Sequence, residues 1–380
     1  MNNFTYFNPT RLVFGRGSIE KLGRYVPPGA RVLLTYGGGS ILRNGVRDQV
    51  RKALGDRAVL EFGGIEANPD FATLMKAVRV VREEKIDFLL AVGGGSVLDG
   101  TKFVAAAARW TDGDPWKILE THGAGVREAV PMGAVLTLPA TGSESNGTGV
   151  ISRRETDEKR AFAAECCYPV FSVLDPETTY SLPLRQVQNG IVDTFVHVME
   201  QYATYPAAAP LQDRQSEAIL ATLVESAQDI LREPASYDAR ATFVWCATQG
   251  LNGLVACGVP QDWSTHMIGH ELTAFYGLDH GQTLAVVLPG VLRHQVERKR
   301  AKLAQFGRRI FGVDGAEAAI EATEAFFRSL GVKTRLAEYG VDATEAAERI
   351  SRRFRERETK LGEHKVIGPD EAAEILRMRA

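Results

Sequence analysis

Two hydrophobic periodicities divide the chain. In its first half, short apolar runs rich in β-branched residues ("RVLLTY", "AVLEFGG", "DFLLAVGGG", "GAVLTLPA" and "PVFSVLDP") alternate with longer stretches such as "GVRDQVRKALG", "FATLMKAVRVVREEK" and "TKFVAAAARW". A short apolar run bounded by turn formers reads as a buried strand, and apolar positions three and four apart read as an amphipathic helix. Their alternation predicts a parallel sheet covered by helices. After Pro183 the pattern changes: "LRQVQNGIVDTFVHVMEQYA", "AILATLVESAQDIL" and "KLAQFGRRIFG" all carry helical spacing, which predicts an almost entirely helical second half. "PETTYSLP", at 176–183, clusters turn formers between the two patterns. The expected organisation is an α/β domain over 1–181 and an all-α domain over 182–380, with the active site in the cleft between them.

Composition narrows the classes of function. The chain has 380 residues, more than one hydrophobic core usually organises, with 44% apolar and 24% charged residues, which is ordinary for a folded protein. A formal net charge of −2 offers no basic field for nucleic acid, so a small-molecule ligand is expected instead. "MNNFTYFNPTRLVFG" lacks the basic start and apolar core of a signal peptide, and no run is long enough to span a bilayer, so a cytoplasmic protein without a membrane partner is expected. Cys166, Cys167, Cys246 and Cys257 form no CxxC pair and are expected as reduced, mostly buried thiols. The charge run "ISRRFRERETK" reads as a solvated helix face.

The run "DFLLAVGGGSVLDGTKF" is a strand leading into Gly93, Gly94, Gly95 and Ser96 and then a helix. Glycines admit close approach of a ligand to the backbone, and the helix start behind them offers free N–H groups to a phosphate. Ser96 and Asp99 also have capping-box spacing, so part of the motif serves equally well to start the helix. The turn lies at the carboxyl end of a central strand, where open α/β sheets bind ligands, although GxGxxG is absent.

The string Gly93-Gly94-Gly95-Ser96, with Asp99 and Lys102 at fixed spacing, resembles the GGGSxxDxxK motif of the iron-containing alcohol dehydrogenase family. "PTRLVFG", "TGSES", "LDP" and the later histidines follow in the family's order over nearly the whole chain. "TYGGGS" and "GLDHGQTLAVVLP" resemble its NADPH-dependent, butanol dehydrogenase-like aldehyde reductases. The resemblance implies a Rossmann-like, dehydroquinate synthase-like α/β domain, a helical metal-binding domain, a homodimer, and cofactor pyrophosphate at Gly94, Gly95, Ser96 and Asp99. It adds Asn68, Thr137, Thr141, Asn146 and Lys159 as cofactor contacts. Read alone, Asn68 before Pro69 is also a helix-start residue, and a lysine in "RRETDEKR" is ordinarily solvated.

"TYGGGS" has a physical reading of its own. An NAD site usually presents an acid after an early strand to bind the ribose hydroxyl. Here Gly37, Gly38, Gly39 and Ser40 follow the strand instead, which is either a plain tight turn or a site that accepts a 2′-phosphate. The missing acid favours NADPH, and Gly37→Asp is expected to shift preference toward NADH.

Asp193 and His197 stand four apart on a predicted helix, and His266 and His270 repeat that spacing before His280 in a glycine-flanked loop. Each pair alone reads as a hydrogen-bonded pair or as two ligands of a metal. "HELTA" lacks the second histidine of a zincin, and geometry leaves open which of His266 and His270 binds. The family resemblance implies Asp193, His197, His266 and His280 as ligands, with His270 beside the metal as a candidate proton relay or a packing residue. Three imidazoles and a carboxylate suit Fe2+ or Zn2+ alike.

The implied reaction is hydride transfer between NADPH and an aldehyde or alcohol of short to medium chain, with the metal polarising the carbonyl. Leu182, Trp263 and Phe275 are candidate pocket residues. The competing reading is a lyase similar to dehydroquinate synthase, which shares cofactor and architecture but differs in its metal ligands.

Overall fold

A computed structural model describes residues 1–380. The strands are β1 (Arg11–Phe14), β2 (Arg31–Thr35), β3 (Ala58–Phe62), β4 (Phe88–Gly94), β5 (Met132–Leu138), β6 (Thr148–Arg153), β7 (Glu158–Ala163) and β8 (Phe171–Leu174). Helices α1 (Ser40–Arg43), α2 (Val46–Leu54), α3 (Phe71–Glu83), α4 (Gly95–Arg109) and α5 (Lys117–Glu120) lie among them. The remaining helices are α6 (Leu184–Tyr202), α7 (Pro210–Arg232), α8 (Tyr237–Gly250), α9 (Ser264–Tyr276), α10 (His280–His294), α11 (Val296–Phe306), α12 (Ala316–Ser329), α13 (Ala343–Glu356) and α14 (Pro369–Arg377).

Six strands form one parallel sheet in the order β1-β8-β5-β4-β2-β3. Its inner strands β2, β4, β5 and β8 are near-continuous apolar runs because both faces are covered, whereas the edge strands β1 and β3 are partly exposed. Along β4, Leu89 and Ala91 enter one core, with Leu33 of β2 and Ala134 of β5. Phe88, Leu90 and Val92 enter the other, with Val32 and Leu34. That alternation is the two-residue period of a strand. After β3 the chain returns to the other side of β2 as β4, so the order reverses there, and β4 ends in the glycine turn.

Two strand features depart from the expected pattern. β1 is only four residues long and forms a sheet edge beside β8. β6 and β7 form a separate antiparallel hairpin that carries "RRETDEKR" at its bend. Lys159, which taken alone reads as solvated, is buried on β7, where its ammonium reaches Asn68 Oδ1 at 2.8 Å.

The chain separates into two compact units, Phe7–Pro183 with Glu233–Thr248, and Met1–Tyr6 with Leu184–Arg232 and Gln249–Ala380. A single cut at 181/182 therefore misses two exchanges. Most of α8 belongs to the α/β unit because Val244 joins its core, Thr248 Oγ1 donates to Glu144 Oε1, and Trp245 packs edge-on against Phe14. The first six residues belong to the helical unit, where Asn2 N donates to Gly258 O at 2.9 Å.

In the helical unit, α6 is buried along most of its length, and α9, α10, α13 and α14 share one apolar core through Ile268, Leu272, Val287, Ile350 and Ile375. The charged stretch in α13 is not simply a solvated face. Arg353 and Arg357 both bond the buried carboxylate of Glu271, because that acid on α9 needs cationic partners. No helix is long and apolar enough to cross a membrane. The four cysteines are free thiols, and only Cys166 is exposed.

Candidate cofactor turns and metal centre

β4 runs into α4 through Gly93, Gly94 and Gly95, with a register shift against β5 between Gly93 and Gly94. A Cβ on Gly93 would lie 2.6 Å from Val97, one on Gly94 2.8 Å from Leu138 Cβ, and one on Gly95 2.6 Å from Thr141. Any side chain here would collide with Val97, Leu138 or Thr141. The expected capping box is absent: Gly94 stands at the helix cap, and Ser96 Oγ instead accepts from Asn68 N at 3.2 Å. Asn68 adopts a left-handed φ of 56° and accepts from Lys159, so Asn68, Ser96 and Lys159 form one linked group.

Asp99 ties the start of α4 to its surroundings. Its carboxylate accepts from Ser143 Oγ at 2.6 Å and from Val150 N at 3.0 Å, which ties α4 to the "TGSESNG" loop and the hairpin. Lys102 is fully buried and donates to Ser143 Oγ, Asn146 Oδ1 and Thr148 O at 2.8, 3.0 and 2.8 Å. Burial lowers its pKa to about 8, opposed by the Asp99 carboxylate. Asn146 also donates to Gly142 O, and Thr141 Oγ1 accepts from Ser143 N. Thr137 is buried near the end of β5. Thus Asp99 and Asn146 shape the loop from within, and Lys102, the last residue of the sequence motif, completes it together with Ser143, to which the sequence assigns no separate role.

The second glycine turn follows β2. Gly39 has a φ of 84° and precedes α1, which begins at Ser40. A Cβ on Gly37 would meet Ile65 O at 3.1 Å, whereas Gly38 has open space and an ordinary φ. An acid after β2 would therefore fit better at Gly38 than at Gly37, contrary to the sequence expectation.

Asp193 and His197 stand on α6, His266 and His270 on α9, and His280 is the first residue of α10. Two glycines allow these helices to approach. A Cβ on Gly281 would lie 2.6 Å from Asn189 O of α6, and one on Gly269 2.9 Å from Thr283 Oγ1 of α10. Asp279 fixes the start of α10 through a capping box with Gln282 and accepts from Asn189 Nδ2 at 2.9 Å.

The donor atoms of Asp193, His266 and His280 lie within 4.8 Å of one another. Asp193 Oδ1 is 3.4 Å from His197 Nδ1, 3.7 Å from His266 Nε2 and 3.6 Å from His280 Nε2. These separations exceed ordinary N–H···O hydrogen bonds. They match the roughly 3.3–3.6 Å between neighbouring ligands around an ion held at about 2.0–2.2 Å. His197 lies outside the compact threesome but stacks on His266 at 4.4 Å between ring centroids. His270 is farther away, with its ring centroid 6.3 Å from that of His266 and 5.4 Å from that of His280.

Burial pushes the His197 pKa down to about 4, keeping that ring neutral as a ligand must be. Burial acts the same way on His266 but is outweighed by the carboxylates of Glu200 and Asp193, which raise it to about 9. His266 Nε2 is nonetheless buried without a hydrogen-bond partner. A nitrogen-rich donor set with such an atom fits a divalent metal ion. Trp263 packs edge-on against His266 and His197, with centroids 5.3 and 6.1 Å away, but Phe275 lies against the guanidinium groups of Arg349 and Arg353. Phe275 is therefore better read as an arginine-packing residue than as pocket lining.

The model described as iron-containing alcohol dehydrogenase matches residues 9–176, and that described as the C-terminal part of the Fe-containing alcohol dehydrogenase family matches 187–379. The chain belongs to the iron-containing alcohol dehydrogenase family. It is 54% identical to the NADPH-dependent aldehyde reductase YqhD of Escherichia coli, over 99% of each chain. The NADP-dependent alcohol dehydrogenase 3 of Entamoeba histolytica is 44% identical over 99% of this chain and 98% of its own. The probable NADH-dependent butanol dehydrogenase 1 of Bacillus subtilis is 42% identical over 90% and 91%. The crystal structure of E. coli YqhD superposes with a TM-score of 0.98 at 53% identity, covering 100% of this chain and 99% of that one. None of these relatives is named as a lyase, so the dehydroquinate synthase-like alternative is not favoured.

Proposed function

We propose that the protein is a metal-dependent aldehyde reductase that uses NADPH to interconvert short to medium-chain aldehydes and their alcohols. The observation that carries this reading is the spacing of Asp193, His266 and His280, buried or half-buried around a point where a divalent ion fits. Asp193, His197, His266 and His280 would hold Fe2+ or Zn2+. The full-length likeness to an NADPH-dependent aldehyde reductase supports the substrate class.

When bound, the ion supplies Lewis acidity to a carbonyl oxygen, and NADPH supplies the hydride. The chain's own residues do the rest. Gly94, Gly95 and Ser96 offer a side-chain-free turn and a helix start to the pyrophosphate. Gly37 to Ser40 present no acid to repel a 2′-phosphate. Asn68 donates to Ser96 through its backbone N–H and accepts from the Lys159 ammonium through its side chain, which links a cation to the same turn. Trp263 supplies an apolar ring beside the metal ligands for the aldehyde chain. His270, one helical turn from His266, delivers from an imidazole nitrogen the proton that completes the alcohol.

The test is NADPH oxidation, followed optically, over a series of aldehydes. Turnover should vanish when a chelator strips the protein and return with one equivalent of Fe2+ or Zn2+. Full turnover in metal-free protein would refute the mechanism.

A further inference from the structure

On α6, Glu200 stands seven residues after Asp193 and three after His197, so all three share one helix face. It is almost fully buried, and each of its carboxylate oxygens has a partner at the start of α9. Oε1 accepts from Thr265 N at 2.6 Å, and Oε2 is hydrogen-bonded to His266 Nδ1. Its backbone carbonyl accepts from Asp262 N at 2.9 Å, just before that helix. One residue thus fastens the first turn of α9 to the helix that carries two of the proposed metal ligands.

The bond to His266 has a chemical consequence. A backbone N–H only donates, so Oε1 must accept, and the positive end of α9 favours the anionic carboxylate. An anionic Oε2 then requires a proton on His266 Nδ1. The proton on one ring nitrogen fixes the role of the other, leaving the Nε2 lone pair as the ligand. Nε2 is the atom that is buried without a hydrogen-bond partner and lies 3.7 Å from Asp193 Oδ1.

Resting on the metal-centre reading above, we propose that Glu200 is a positioning residue. Its carboxylate holds His266 in the Nδ1-protonated tautomer with Nε2 aimed at the metal, and so selects His266 of the two α9 histidines as a ligand. Carboxylates behind metal-bound histidines generally contribute both ring orientation and ligand basicity.

The experiment is chelator competition with Zn2+ as the probe metal on wild type, Glu200→Gln and Asp193→Asn, with melting of each metal-free protein alongside. Glu200→Gln keeps one acceptor for Thr265 N but turns an amide donor toward Nδ1. Zn2+ binding should weaken about 10- to 100-fold. A helix cap with no other role would lower the melting temperature yet leave Zn2+ affinity within twofold of wild type, and that result would overturn the proposal. Unchanged affinity in Asp193→Asn would instead overturn the metal centre itself. If Glu200→Gln fails to fold, nitrogen NMR of Zn2+-loaded wild type decides: a protonated His266 Nδ1 upholds the assignment, and an unprotonated Nδ1 refutes it.

Discussion

At the end of β4, several of the side chains expected at the cofactor are engaged within the protein: Asn68 with Lys159, Asp99 with Ser143, and Asn146 with Lys102. On α6, α9 and α10, the donor atoms of Asp193, His266 and His280 face one another at distances longer than hydrogen bonds. The first region is finished as a polar network around glycines that pack closely against Val97, Leu138 and Thr141. The second brings the donor atoms of three side chains within 4.8 Å of one another. A dinucleotide needs a rigid backbone cradle, whereas a metal needs converging lone pairs. The same residue types therefore serve as scaffold in one unit, and in the other are placed where they would hold an ion.

That contrast predicts separable losses. Asp193→Asn keeps the side-chain shape but removes the negative donor, and should cut aldehyde reduction by at least about a hundredfold, since a Lewis-acid ion stabilises the transition state by several kcal/mol. Its denaturant midpoint should stay close to that of metal-free wild type. Lys102→Met should do the reverse. It leaves Ser143 Oγ, Asn146 Oδ1 and Thr148 O without their buried donor and Asp99 without its cation, and should cost about 3–5 kcal/mol in urea unfolding. Its metal content should be unchanged. If both substitutions lowered stability and metal content together, the two regions would not be distinct in kind.

A smaller effect is expected at the turn after β2. Gly38→Asp adds a carboxylate in open space without straining the backbone. It should lower the NADPH/NADH ratio of kcat/KM about tenfold, because like charges a few ångströms apart near a surface repel by roughly 1–4 kcal/mol. An unchanged ratio would remove the 2′-phosphate from that turn.

Much of this architecture is legible in the sequence because burial leaves a pattern. β2, β4, β5 and β8 are apolar runs on both faces, and the shared helix faces of Asp193/His197 and His266/His270 follow from four-residue spacing. What escaped depends on contacts distant in sequence. β1 has too few residues to show a period, and the β6–β7 hairpin is disguised by its charges. Lys159 reads as solvated until Asn68, 91 residues away, is placed beside it. The capping-box reading failed because Asp99 bonds to residues 44 and 51 positions downstream. Spacing did not separate His266 from His270, since the difference lies in Glu200, a residue on another helix. One local signal for Glu200 was present: it falls on the Asp193/His197 face.

The most direct measurement is equilibrium titration of the metal-free protein with Fe2+ and with Zn2+, read by elemental analysis after desalting, for wild type and Asp193→Asn. One ion retained per wild-type chain and none by Asp193→Asn is the expected result. Equal retention by both proteins, or none by either, would contradict the metal centre on which the account rests.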